Sequence, residues 1–295
     1  MDAAIDSPVG LASRGQARRP RSIPLPFRRS PLTLSALGVV GLWLALAAAA
    51  PVLAPYGPLQ QDIPGRLAPP AAAHWLGTDA LGRDVLSRIL YGARISIPVG
   101  LAAVALAAVL GGVVGGVAGY VGRRLDEAVM RLTDLMLAFP TVILALVITA
   151  ALGPGIRNAV IAIMVAWWPT YARLVRGLVL AVREREYVQA AYALGVPDGR
   201  VLLRYIAPNV LSSVIVIGTL DVGHAILTFA ALSFLGLGPP PEVPEWGSMI
   251  AAGRNSFDQW WIATFPGLAI LSLTIAFNVV GDSLRDFLDP RLRKL

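Results

Sequence analysis

Asp221 and His224 stand one helical turn apart in a stretch that is otherwise almost wholly apolar. A carboxylate and an imidazole three residues apart share a helix face. Such a pair can hold a proton, a cation or each other, and ionisable groups inside hydrocarbon are functional candidates by default. Two readings stand side by side: the pair lines a translocation path, or it is satisfied inside a helix bundle by mutual pairing or by backbone. The rest of the reactive inventory is sparse. His74, the only other histidine, has no second metal-type ligand at a helical spacing, so no metal site is expected. The chain has no cysteine, which excludes disulfides, thiolate metal sites and thiol nucleophiles. A phosphate-binding loop needs Gly-x-x-x-x-Gly-Lys-Ser/Thr, yet the sole lysine is Lys294, with a single residue after it. No nucleophile and base come together. The chain is expected to be non-catalytic and without cofactors, and any ATP must be handled by other chains.

A second group of residues suggests mechanical rather than covalent chemistry. Residues 184–193 favour helix, and Gly195 ends it in the usual C-terminal manner. Pro197-Asp198-Gly199 is a turn signal. Residues 200–205 restart a helix, and Pro208 opens the next apolar segment where its missing N–H does no harm. The expected product is a compact helix-turn-helix hairpin over residues 183–208. A rigid knob of this kind passes force from a soluble partner to the segments on either side. An ordinary amphipathic surface helix is the plainer reading of the same residues.

The elements that must carry these groups are membrane helices. Of 295 residues, 56% are hydrophobic and 15% charged, where a soluble domain carries about 25% charge. A helix crosses ~30 Å of hydrocarbon with about 20 apolar residues. Six stretches qualify: residues 32–53, 95–121, 132–152, 159–182, 210–235 and 261–280. Period-two alternation is absent, which argues against a barrel. With the N-terminus in the cytoplasm, 19 of the 25 basic residues fall inside and six outside. That distribution follows the positive-inside rule with both termini cytoplasmic. It also accounts for the net charge of +7 without nucleic acid. Arg28-Arg29-Ser30-Pro31-Leu32 ahead of the first stretch has a rival reading as a cleaved twin-arginine signal. The apolar run exceeds the ~7–15 residues of a signal core, so an uncleaved span is preferred.

The expected organisation is a basic cytoplasmic tail (1–31), a first span with an extracytoplasmic segment (32–93), a transmembrane core (94–285) holding the hairpin, and a C-terminal tail (286–295). In the extracytoplasmic segment, Trp75 suits an interfacial anchor, residues 85–90 suit a short amphipathic helix, and Arg83 and Asp84 suit helix ends or each other. Glycines at 111, 112, 115, 116 and 119 form overlapping small-xxx-small pairs. These permit close helix approach, within the chain or to another subunit. The proline-rich run from Gly236 to Gly247 forbids regular helix and suits an ordered loop or a docking face.

Gln189-Ala190-Ala191, followed by Leu194-Gly195 and Pro208-Asn209, resembles the "EAA" loop of type I binding-protein-dependent ABC importer permeases. Further stretches, in order, are similar to the oligopeptide/dipeptide/nickel permease subfamily. They include Leu76-Gly77-Thr78-Asp79 with Gly82-Arg83-Asp84, Ala138-Phe139-Pro140, Tyr171-Ala172-Arg173 and Leu232-Ser233-Phe234-Leu235-Gly236-Leu237-Gly238. The resemblance runs from about residue 30 to the end. It implies an all-α fold of six transmembrane helices and a coupling loop that docks on an ATPase. The loop positions it singles out are Tyr187, Gln189, Ala190, Ala191, Leu194, Gly195, Pro197, Arg204 and Pro208. It also implies a second homologous permease subunit, two cytoplasmic ATPase subunits, an extracytoplasmic substrate-binding protein, and a peptide cargo, with nickel or another small solute as the alternative. Two positions depart from the family pattern: Gln189 stands where Glu is usual, and Tyr192 where a basic residue is common. An ion-coupled secondary transporter is the competing class, but it would show paired repeats and broken helices, and no internal repeat is evident.

Overall fold

The computed structural model describes residues 31–254 and 256–288. The basic tail and the last residues, Lys294 among them, lie outside the described residues. All regular structure among the described residues is helical: α1 (Pro31–Leu53), α2 (Val85–Val121), α3 (Arg123–Leu137), α4 (Thr141–Leu152), α5 (Ile156–Arg183), α6 (Glu186–Ala193), α7 (Asp198–Val201), a π-helical turn (Leu202–Ile206), α8 (Ala207–Phe234), α9 (Trp246–Gly253) and α10 (Trp261–Leu288). Four stretches are long and apolar enough to cross a membrane: α1, α2, residues 198–234 and α10. The bent pair α3–α4 makes a fifth if it counts as one span.

The expected fourth span, residues 159–182, lies within α5, which is not among these stretches, and two other expected spans differ in form. Residues 132–152 are not one straight helix. The chain breaks between α3 and α4 and turns by 90°. Pro140 has no N–H to continue the ladder, and it disfavours helical backbone at Phe139. α3 ahead of the break is amphipathic and tied to α5 by ion pairs, Asp126 with Arg176 and Asp134 with Arg173. The second span is longer than expected. Residues 85–90 form the start of α2 rather than a separate helix. Asp84 caps α2, accepting from the Ser87 N–H at 2.8 Å and the Ser87 hydroxyl at 2.7 Å. At 1.5 Å per residue, 37 residues run about 55 Å, far more than the hydrocarbon thickness.

α2 is the mast of the fold, and α5 lies closest to it. An ideal Cβ on Gly111 would meet Trp168 O at 2.3 Å, and one on Gly115 would meet Ala172 O at 2.1 Å. A Cβ on Gly119 would lie 3.1 Å from Arg176 O. The glycine stripe therefore packs within the chain, where backbone proximity replaces the hydrophobic drive that lipid removes. Gly112 faces open space. α8 and α10 close the other flank of α2 around Ile97, Ile226 and Leu273, all buried. α1 leans on α10: Trp43 Nε1 donates to Ser272 Oγ at 3.0 Å, and Thr33 Oγ1 meets Ser283 Oγ at 2.7 Å.

The two ends of α2 carry different structures. At its start, Trp246 inserts into the notch left by Gly92 and donates from Nε1 to Ile89 O at 3.0 Å. At its end sits the hairpin of α6 and α7.

Candidate functional site

The hairpin is closed by backbone hydrogen bonds of a Schellman type. Val196 N donates to Ala191 O at 3.1 Å and Gly195 N to Tyr192 O at 2.9 Å. Gly195 adopts φ +75°, a left-handed conformation open to glycine at little steric cost. Pro197 then caps α7, its carbonyl accepting from Arg200 N and Val201 N. One face of the knob is buried: Val188, Ala191, Val201 and Ile206 pack on Val175 and Val179 of α5 and Val210 of α8. The other face is bare. Leu194 is 84% exposed, Leu203 73% and Tyr187 44%. Gln189, Ala190, Pro197, Arg204 and Pro208 also lie exposed.

The helix after the turn does not simply restart at Pro208. It runs without a break from Asp198 into α8, with the π-helical turn at Leu202–Ile206 inside it. Pro208 cannot donate to the carbonyl four residues back, and its ring crowds that carbonyl. A wider turn just ahead of it relieves the clash.

The knob is bolted to the end of α2 through Tyr120. Tyr192 Oη donates to Tyr120 Oη at 3.1 Å, and Tyr120 Oη donates to Asp198 O at 3.0 Å. Arg183 lies over the Tyr120 ring and donates to Tyr120 O at 2.9 Å. Gln189 Nε2 donates to Arg183 O at 2.8 Å, satisfying the frayed end of α5. Both departures from the family pattern thus have internal partners. A glutamate at 189 lacks the N–H for this bond, and a lysine at 192 would place a charge against Tyr120.

Asp221 and His224 lie on α8 beside a cavity of about 520 Å³ at the α3–α4 bend. They do not hydrogen-bond to each other. Asp221 Oδ2 accepts from Tyr171 Oη of α5 at 2.6 Å. His224 Nδ1 is 3.3 Å from Leu220 O. Tyr171 lies 50 residues from Asp221 in the chain, so local spacing carries no sign of their meeting.

At the opposite end, the segment before α2 is a folded loop. Asp79 accepts from Arg83 Nε at 2.7 Å and from the N–H groups of Leu81 and Arg83. Arg83 pairs with Asp79 rather than Asp84. His74 Nδ1 meets Asp84 Oδ1 at 2.9 Å, a structural role in orienting the α2 cap. Arg83 and Arg88 both donate to Pro241 O in the proline-rich loop. Glu245, fully buried, caps α9 by accepting from Gly247 N and Ser248 N. Burial pushes its carboxyl above the ordinary range, and those two N–H groups and nearby hydroxyls only partly oppose this. A carboxyl raised on folding stabilises the fold while protonated, and that contribution is lost as pH rises through its folded-state value. The thermal midpoint of the purified protein should therefore fall as pH rises from about 4.5, the ordinary glutamate value. Glu245→Gln should flatten this slope; an unchanged slope in differential scanning fluorimetry would assign it elsewhere.

With this geometry in view, comparisons locate the chain among known proteins. The model of the family described as "Binding-protein-dependent transport system inner membrane component" matches residues 111–294. A second, "N-terminal TM domain of oligopeptide transport permease C", matches residues 25–70. The chain is 44% identical over 266 residues to the probable D,D-dipeptide transport system permease protein DdpC of Escherichia coli (strain K12), covering 90% of this chain and 89% of the relative. It is 42% identical over 268 residues to the dipeptide transport system permease protein DppC of Alkalihalophilus pseudofirmus, covering 90% and 88%. It is 43% identical over 258 residues to the nickel transport system permease protein NikC of Escherichia coli (strain K12), covering 87% and 93%.

Proposed function

Because the chain belongs to the family of binding-protein-dependent transport system inner membrane components, we propose that it forms, with a second homologous permease subunit, the pathway of an ATP-driven importer of di- or oligopeptides. It is a multi-pass inner-membrane protein. In this reading the bent pair α3–α4 and the arginine-bearing α5 also cross the bilayer, giving six spans with both termini in the cytoplasm. Two ATPase subunits sit below and a substrate-binding protein delivers cargo from the extracytoplasmic side. ATP hydrolysis belongs to the separate subunits.

One observation carries the mechanism. The knob of α6 and α7 is buried against α5, α8 and the end of α2, yet its tip is bare. A partner that grips Tyr187, Leu194 and Leu203 moves three long helices at once. Closure of two such partners on ATP, and separation after hydrolysis, tilts those helices and opens the path to alternate sides. Asp221 and His224 line that path. Nickel is the alternative cargo, on the strength of the nickel permease relative alone.

The test is uptake of a labelled dipeptide by the whole transporter in liposomes. Uptake should require ATP and the binding protein. Uptake driven by a proton gradient without ATP would replace this reading with an ion-coupled one. Because the chain has no cysteine, Leu194→Cys gives a single label site. It should react from the cytoplasmic side and crosslink to an ATPase subunit; labelling only from outside would overturn the orientation.

A further inference from the structure

The cavity at the α3–α4 bend is unusual in what it offers a solute. Its polar groups are Asp221, His224, Tyr171, Thr228, Thr170 and Thr141, beside the ring of Trp167. The Tyr171 hydroxyl proton goes to Asp221 Oδ2 at 2.6 Å. The Thr228 hydroxyl proton goes to His224 O at 2.8 Å. Leu220 O can only accept, so His224 Nδ1, at 3.3 Å from it, is the donor in that contact. Among the described residues nothing hydrogen-bonds to Asp221 Oδ1. Among the described residues no arginine or lysine lines the cavity; the nearest arginine in sequence on α5, Arg173, is engaged by Asp134.

The protons of Tyr171 and Thr228 are thus spent inside the protein, and what these groups and Asp221 turn toward the cavity are acceptors. They comprise a carboxylate oxygen and hydroxyl oxygens, next to an indole. That set complements a compact cation rich in N–H donors: a primary ammonium takes three acceptors and is attracted to an aromatic face. It does not suit a carboxylate, which would meet the like charge of Asp221. A metal ion is a poorer fit, since among the described residues no group of three or more metal-type side chains gathers. The volume, about 520 Å³, lies within the ~300–1,000 Å³ of small-molecule pockets.

Resting on the permease reading above, we propose that Asp221 holds the α-ammonium group of a peptide cargo in transit, with Thr228 as a secondary acceptor. One carboxylate in a half-open cavity gives a hold strong enough to orient the cargo and weak enough to release it. The other end of the peptide, bearing the negative charge, is left pointing away from α8.

The experiment uses the absence of native cysteine. Thr170, exposed on the same cavity, is replaced by cysteine in the complete transporter, held in nanodiscs without ATP. Cationic trimethylammonium-ethyl and anionic sulfonatoethyl methanethiosulfonates are compared, each rate normalised to that with free cysteine, and labelling of this chain is read by mass. The cationic reagent should be favoured by about tenfold, as expected for one nearby charge in a low-dielectric cavity. Asp221→Asn should abolish the preference and Asp221→Glu restore it. Dialanine should slow the cationic reagent; N-acetyl-dialanine and nickel chloride should not. Absence of a charge preference, its survival in Asp221→Asn, or equal protection by the acetylated peptide overturns the proposal. Protection by nickel alone overturns it in favour of a metal cargo. These rates need no ATP, so their failure is distinct from a failure of ATP-driven uptake.

Discussion

Gly115→Ala should lower the thermal midpoint of the purified protein by roughly 6–12 °C, from a loss of about 3 kcal/mol at the upper end of overpacking costs. The added methyl would lie 2.1 Å from Ala172 O and 2.7 Å from its carbonyl carbon. Both are backbone atoms, so no side chain can swing aside. α2 and α5 must part by about 1 Å to reach normal contact, and every neighbouring contact along that seam loosens with them. Gly112→Ala is the matched control. It sits on the same helix with nothing within 4 Å, and alanine is the better helix former by up to ~1 kcal/mol. Gly112→Ala should therefore hold or raise the midpoint. Equal effects of the two substitutions would mean that helix propensity, not the α2–α5 seam, governs the site.

Gly195→Pro should leave membrane insertion intact and reduce ATP-driven uptake by at least about 100-fold. Proline fixes φ near −65°, and Gly195 needs +75°. The substitution also deletes the N–H that reaches Tyr192 O. The chain can then no longer fold back, and Val201 and Ile206 lose their seat on α5. Gly195 itself lies outside every apolar span, the nearest beginning at Asp198, so insertion is spared. Gly195→Ala, at a left-handed cost of about 1–2 kcal/mol, should retain part of the uptake. Full uptake by the proline variant, measured in the same liposomes, would remove the hairpin from the coupling path.

Apolar runs revealed most of the long helices, since length and hydropathy are local properties. The hairpin was also legible, because Gly195 and Pro197 act on their own backbone. What escaped was decided elsewhere in the chain. The first turns of α2 read as a separate piece because Arg88 and Arg94 interrupt the apolar pattern. The charge of Arg88 is met by Asp79 and by carbonyls of Pro58 and Pro241, 30 and 153 residues away. The break at Pro140 had a visible cause, but the hydrophobic run masked it. Asp221 stood out by its type, whereas its partner Tyr171 did not, because a tyrosine in a membrane helix is unremarkable until its neighbour is known. Gln189 looked like a loss against the family pattern. Its amide proton is what the end of α5 uses.

The widened turn at Leu202–Ile206 stores one surplus residue between the knob and α8. Each residue of an α-helix advances the chain by about 100° of rotation. The surplus therefore sets the angular phase between the bare tip and the face of α8 that carries Asp221. Excising a single residue there would let the backbone rewind toward ordinary pitch, short of the one hydrogen bond Pro208 cannot make. The tip would then point a quarter-turn or so astray, and the spans would remain folded but out of step with their motor.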